Sequence, residues 1–142
     1  MERGYSLTEL AVTLTIVGLV TAITLLRFGD WLDHLAIEGA ASDLTTAVAV
    51  ARNRAMLRAT QARISIAADS LRTDERVAGI WTAAARWPGP GSHGVGLAVS
   101  NPTVLFDARG IGAGVANTRV VLLRGSHTAT ITISRVGRVK RW

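Results

Sequence analysis

LAVTLTIVGLVTAITLL, residues 10–26, is the stretch on which the fold turns. It lies between Glu9 and Arg27 and holds seventeen residues without a formal charge. As a helix rising about 1.5 Å per residue it would span roughly 25 Å, the lower end of what a bilayer core requires. A buried core helix needs apolar protein on every side, more than a 142-residue chain easily offers. A cleaved secretory signal needs a basic start and small residues after the apolar run. Here Arg27-Phe28-Gly29-Asp30-Trp31 follows instead. A retained membrane anchor fits the length and the flanks, and is the expectation.

The rest of the composition fits one small folded unit. Apolar residues make up 49% and charged residues 18%, which excludes a disordered or fibrous chain. With no cysteine, there is neither a disulfide framework nor a thiolate metal site. Of the sixteen basic residues all but Lys140 are arginine, and the net charge is +6. Up to Asp107 there are nine basic and ten acidic residues; beyond it there are seven basic and none acidic. So asymmetric a charge points to an anionic partner, a membrane surface or a polymerised neighbour.

Immediately before the apolar run stands Arg3-Gly4-Tyr5-Ser6-Leu7-Thr8-Glu9-Leu10. This resembles the class III signal of type IV prepilins and type II secretion pseudopilins. The resemblance implies that residues 1–4 are a leader ending at Gly4, which a prepilin peptidase removes. Tyr5 would become the N-methylated first residue and Glu9 the fifth-position glutamate of the mature chain. Elementary electrostatics agrees with that role. A carboxylate at the head of an apolar segment costs a few kcal/mol in lipid unless it finds a partner. In a filament of packed helices, the α-amino group freed at Tyr5 of one subunit can neutralise Glu9 of the next. The alternative is a Glu9 that merely sits at headgroup level, or favours the first helical turn through the macrodipole.

Helical character continues past the run. In residues 40–59, AASDLTTAVAVARNRAMLRA, the positions Leu44, Val48, Ala51 and Ala55 recur at spacings of four, three and four. That is one apolar helix face, with Arg52, Arg54 and Arg58 largely outside it. One long helix to about residue 59 is expected, with Gly29 and Gly39 as soft spots. The period then changes. Residues 61–67, 77–83, 95–99, 103–106, 119–123 and 128–134 read as short strands, and 136–140 as an extension of the last. Residues 87–94, rich in Pro and Gly, and 107–117 read as loops. The expected class is α+β: a long N-terminal helix, with residues 5–28 in the membrane, and a 29–142 head carrying a small antiparallel β-sheet.

The head resembles the GspH/FimT-like branch of minor pilins and pseudopilins. The stretches that carry this are LTTAVAVARNRAMLRATQARISI (44–66), VLFDARG (104–110) and ITISRVGRV (131–139). The resemblance implies a bacterial inner-membrane protein with one span and a periplasmic head. Its partners would be other pilin or pseudopilin subunits and, in a secretion system, exported proteins. The implied role is structural, with no cofactor.

Enzymatic alternatives find little in the residues. His34, His93 and His127 show no metal-ligand spacing, and Gly91-Ser92-His93-Gly94-Val95-Gly96 lacks the pattern of a nucleotide-binding loop. One feature suggests a specific activity. Arg135, Arg138, Lys140 and Arg141 crowd into seven residues before Trp142. Arginine forks suit phosphates and an indole can stack on a base, so a DNA-binding role for this tail stands as the alternative.

Overall fold

The computed structural model describes residues 5–114 and 117–142, and all their side chains except those of Leu26 and Arg27. Gly4, the leader and the flanking charge of Arg27 therefore lie outside what can be described. The chain divides into two compact units, Met1–Leu32 and Asp33–Trp142. A single helix, α1 (Leu7–Leu57), contributes to both.

In the first unit α1 starts after Ser6, whose carbonyl accepts the N–H groups of Glu9 and Leu10. Leucine, valine and isoleucine are exposed on all sides, among them Leu10, Leu14, Val17, Leu19, Val20 and Leu25. Threonine adds a polar hydroxyl to such a segment. Its hydroxyls, however, turn back onto the helix: Thr13, Thr15, Thr21 and Thr24 donate to the carbonyls of Glu9, Ala11, Val17 and Val20 at 2.6–2.8 Å. Each of these hydroxyls is thus satisfied internally, as an apolar solvent requires. The helix is long and apolar enough to cross a membrane.

In the second unit the same helix becomes one-sided. Ile37, Ala41, Leu44, Val48, Ala51 and Ala55 are buried at alternating spacings of four and three. Four-three spacing keeps them on one stripe, and the alanines let strands approach closely. Gly29 and Gly39, expected as soft spots, both lie within the helix. Its end is marked by Ala59 at φ 48°, with Thr60 N–H bonded to the Ala55 carbonyl. This is the left-handed close usually given to glycine.

Two antiparallel sheets, where one was expected, cover the stripe. Sheet A comprises β1 (Ala62–Ile66), β2 (Ser70–Val77), β3 (Ile80–Pro88) and β5 (Thr103–Phe106), in the order β3-β2-β1-β5. Sheet B comprises β4 (Gly96–Val99), β6 (Thr118–Arg124), β7 (His127–Ile133) and β8 (Val139–Arg141), in the order β4-β6-β7-β8. Ile64, Ile66, Leu71 and Phe106 from sheet A meet Val120, Leu122, Ile131 and Ile133 from sheet B on the helix stripe. Alternation with period two directs these residues inward and Arg63, Arg72 and Arg119 outward.

Three strand expectations need correction. Residues 136–140 do not extend β7: the chain turns between Ser134 and Gly137, and β8 returns antiparallel to β7. β2 went unread because its outward positions are charged and Thr73-Asp74 breaks the alternation. The expected strand at 77–83 is in fact a turn at Ala78-Gly79 followed by β3, which runs on through Trp87 and Pro88. Across β2 and β3, Thr73 pairs with Ala85 but Asp74 pairs with Ala83, leaving Ala84 as an extra residue. This bulge reverses the facing of β3: Trp87 packs toward the core, whereas Trp81 lies beside Arg63.

Candidate functional site

Each motif can now be placed. At the head of α1, Tyr5 is 82% exposed and Glu9 is exposed. Among the described residues, no side-chain hydrogen bond or ion pair engages the Glu9 carboxylate. It lies in the first turn of the helix, directly before the apolar run, where positive charge from outside the chain could reach it.

The three stretches that carried the resemblance of the head converge on one side chain. Arg52, on the last turns of α1, donates from Nε to the Gly110 carbonyl at 3.1 Å. Gly110 has φ +74° and Gly137 has φ +72°, a conformation that disfavours any side chain. A Cβ on Gly110 would sit 2.8 Å from the Met56 sulfur, and one on Gly137 2.8 Å from Arg52 Nε. The 107–112 turn is further held by Asp107, whose side chain accepts the N–H groups of Arg109 and Ile111 at 2.9 Å. The Ile111 bond is the main reason its carboxyl titrates below the usual range. Gly112 N–H bonds the Arg135 carbonyl, which stitches this turn to the one before β8. These motifs therefore fix two loops to the helix end; sequence spacing alone did not reveal that they meet.

The basic tail is divided rather than clustered. Arg141 reaches back to α1 and pairs with Glu38, lowering the pKa of that carboxyl chiefly through the hydrogen bond. Lys140 Nζ stands 3.4 Å over the Trp142 ring, a cation–π contact. Arg138, Lys140 and Trp142 line a shallow groove of about 400 Å³ together with Thr132, Ser134 and Arg119. Arg119, on β6, was not foreseen, because twenty residues separate it from Val139, where β8 begins. Arg135 belongs to a different hollow, lined also by Gly112 and Thr118. The structure thus joins two of the four expected cations to a third, and places Arg135 and Arg141 elsewhere.

The histidines serve local packing. His93, in the 3₁₀ turn Pro90–His93, lies 2.9 Å from Asp43 of α1, and the His34 and His127 rings are 5.6 Å apart. Among the described residues no cluster of three or more metal-ligating side chains occurs. Arg124 binds both Asp33 and the His93 carbonyl, tying β6 to the helix.

No family profile and no curated protein matches the chain. Solved structures do. The type IV minor pilin FimU of Pseudomonas aeruginosa superposes in one crystal form with a TM-score of 0.65 at 14% identity, over 78% of this chain and 90% of that one. A second crystal form gives 0.62 at 15% identity, over 74% and 91%. The minor pseudopilin EpsH of the type 2 secretion system of Vibrio cholerae gives 0.60 at 11% identity, over 74% and 94%. At such identities, what these neighbours share with this chain is the path of the backbone. The chain therefore has the fold of type IV minor pilins and minor pseudopilins.

Proposed function

We propose that this protein is a minor subunit of a type IV pilus or a type II secretion pseudopilus, with a structural role. The observation that carries the reading is the division within α1. One helix is apolar on every side at its start and then buries a single stripe in a two-sheet head. That suits a subunit anchored in the bacterial inner membrane and later packed helix against helix in a filament, its head in the periplasm. In this reading a prepilin peptidase cuts between Gly4 and Tyr5, Tyr5 is N-methylated, and Glu9 neutralises the terminal amine of a neighbouring subunit. Other pilin or pseudopilin subunits are its partners, together with exported proteins if the machine is a secretion system. Mass spectrometry of membrane-extracted protein tests this directly. A chain beginning at N-methylated Tyr5 supports it; intact Met1, or cleavage after residue 26, overturns it. Replacing Glu9 with Ala should abolish incorporation into filaments.

A second reading, capture of DNA, is favoured by one feature: the groove that gathers Arg119, Arg138 and Lys140 around Trp142 and two hydroxyls. Binding of this kind would be insensitive to sequence and sensitive to salt, each neutralised phosphate adding about 0.7–0.9 to the log–log slope. A mobility shift at low salt that Arg119→Ala plus Arg138→Ala abolishes would support it. The absence of any shift would remove it.

A further inference from the structure

Away from the tail, the outward face of sheet A carries a second concentration of arginine. Arg63 projects from β1, Arg72 and Arg76 from β2, and Arg86 from β3, with Trp81 among them. At the centre is Asp74, whose side chain is fully buried although it belongs to the solvent side of the sheet. Arg63 Nε donates to Asp74 Oδ2 at 2.8 Å. Arg72 spans the carboxylate, Nη2 2.9 Å from Oδ2 and Nε 2.8 Å from Oδ1. The Arg63 guanidinium also lies 4.5 Å from the centre of the Trp81 ring. Arg76 is held by the Gln61 side chain and the Gly79 carbonyl.

The isolated fold does not account for this arrangement. Arg72 and Arg86 are direct cross-strand partners. Like charges so placed destabilise a sheet. Among the described residues the acid that pairs with Arg86 is Asp69, at 3.7 Å, and the two side chains are 68% and 77% exposed. Arg72 stays half-exposed with its fork held rigid. Long side chains immobilised in this way have already lost the rotamer entropy that binding would otherwise cost. Arginine and tryptophan are also the residues that dominate the centres of protein interfaces. The excess positive charge calls for an anion, and guanidinium forks suit carboxylates. Nucleic acid is the poorer match, since Arg63 already occupies one face of the Trp81 ring on which a base would stack.

We propose that the outer face of sheet A docks an acidic segment of another protein, with Arg72, Arg76 and Arg86 taking its carboxylates around the Asp74-centred cluster. This goes beyond the subunit reading above and does not depend on it.

The test uses the full chain in detergent micelles and a fluorescent decaglutamate peptide, read by anisotropy at low and at physiological salt. Arg76→Glu plus Arg86→Glu leaves the Asp74 cluster intact and should weaken binding about tenfold or more. Arg138→Ala plus Lys140→Ala should change it less than about twofold. Thermal unfolding of each variant verifies that the head remains folded. The proposal is overturned if decaglutamate does not bind, if the sheet variant binds as the parent does, or if the tail variant causes the larger loss. Tighter binding of a single-stranded oligothymidylate than of decaglutamate would also overturn it.

Discussion

The two halves of α1 are built from similar residues and do opposite things. Up to Leu32 the helix shows leucine and valine on every side and holds its threonine hydroxyls against its own carbonyls. From Asp33 onward the same residue types withdraw to one stripe, and charged residues reach out to clasp the sheets: Asp33 to Arg124, Glu38 to Arg141, Arg52 to Gly110 and Arg54 to Glu75. Helix propensity does not distinguish them. What differs is whether polar residues return at the period of the helix, and that alone decides between packing against a head and meeting an apolar medium.

The sharpest way to break this contrast is to shorten one leucine in each half. Leu44→Ala empties a fully buried site and should cost the head about 2–5 kcal/mol, seen as a large drop in its unfolding midpoint. Leu14→Ala should leave the same transition within about 0.5 kcal/mol. If both moved the midpoint equally, the division of the helix would be wrong.

Acid should loosen the head through Asp74, Asp107 and Glu38. The Asp74 carboxyl is pushed up by burial, but the hydrogen bonds of Arg72 and then Arg63 outweigh this and leave it below its ordinary value. Asp107 and Glu38 are lowered as well. A carboxylate with a lowered folded-state pKa stabilises the fold above its unfolded value, near 3.9–4.3, and that stability is lost as pH falls through the folded value. Head stability should therefore be flat near neutrality and decline below about pH 4. Asp74→Asn should flatten part of that decline, as followed by circular dichroism across an acid titration.

Arg52→Ala removes the clamp between the helix end and both loops, and should cost about 1–2 kcal/mol. Amide exchange should rise in 107–112 and 134–138 while β6 and β7 stay protected. Arg52→Lys, lacking the fork, should recover only part of the loss. The smallest effect expected is a gain. Ala59→Gly relieves the left-handed close of α1 and should stabilise the head by at most about 1 kcal/mol, without changing the helical signal of residues 7–26.

Much of this contrast was legible in the residues. The uncharged run after Glu9 announced the first half, and the spacing of Leu44, Val48, Ala51 and Ala55 announced the second; all four are buried. The strands with clean alternation, such as β1, were equally plain. β2 was not, because its outward arginines and the adjacent pair Thr73-Asp74 hide the period. Nor could one sheet be told from two, since strand pairing joins residues far apart in the chain, such as Ile64 with Val104. The tail failed for the same reason. Crowding of Arg135, Arg138, Lys140 and Arg141 suggested one patch, yet successive residues of a strand face opposite ways, and Arg141 goes to Glu38.

One irregularity has an outsized consequence. β3 forms the rim of sheet A, nine residues rich in alanine and tryptophan. A straight rim of that composition invites another chain to add itself, and then another. The additional alanine at 84 throws any incoming strand out of step midway, and Pro88 withholds an amide at the far end. Heads brought close together can thus touch through side chains without fusing into an endless ribbon.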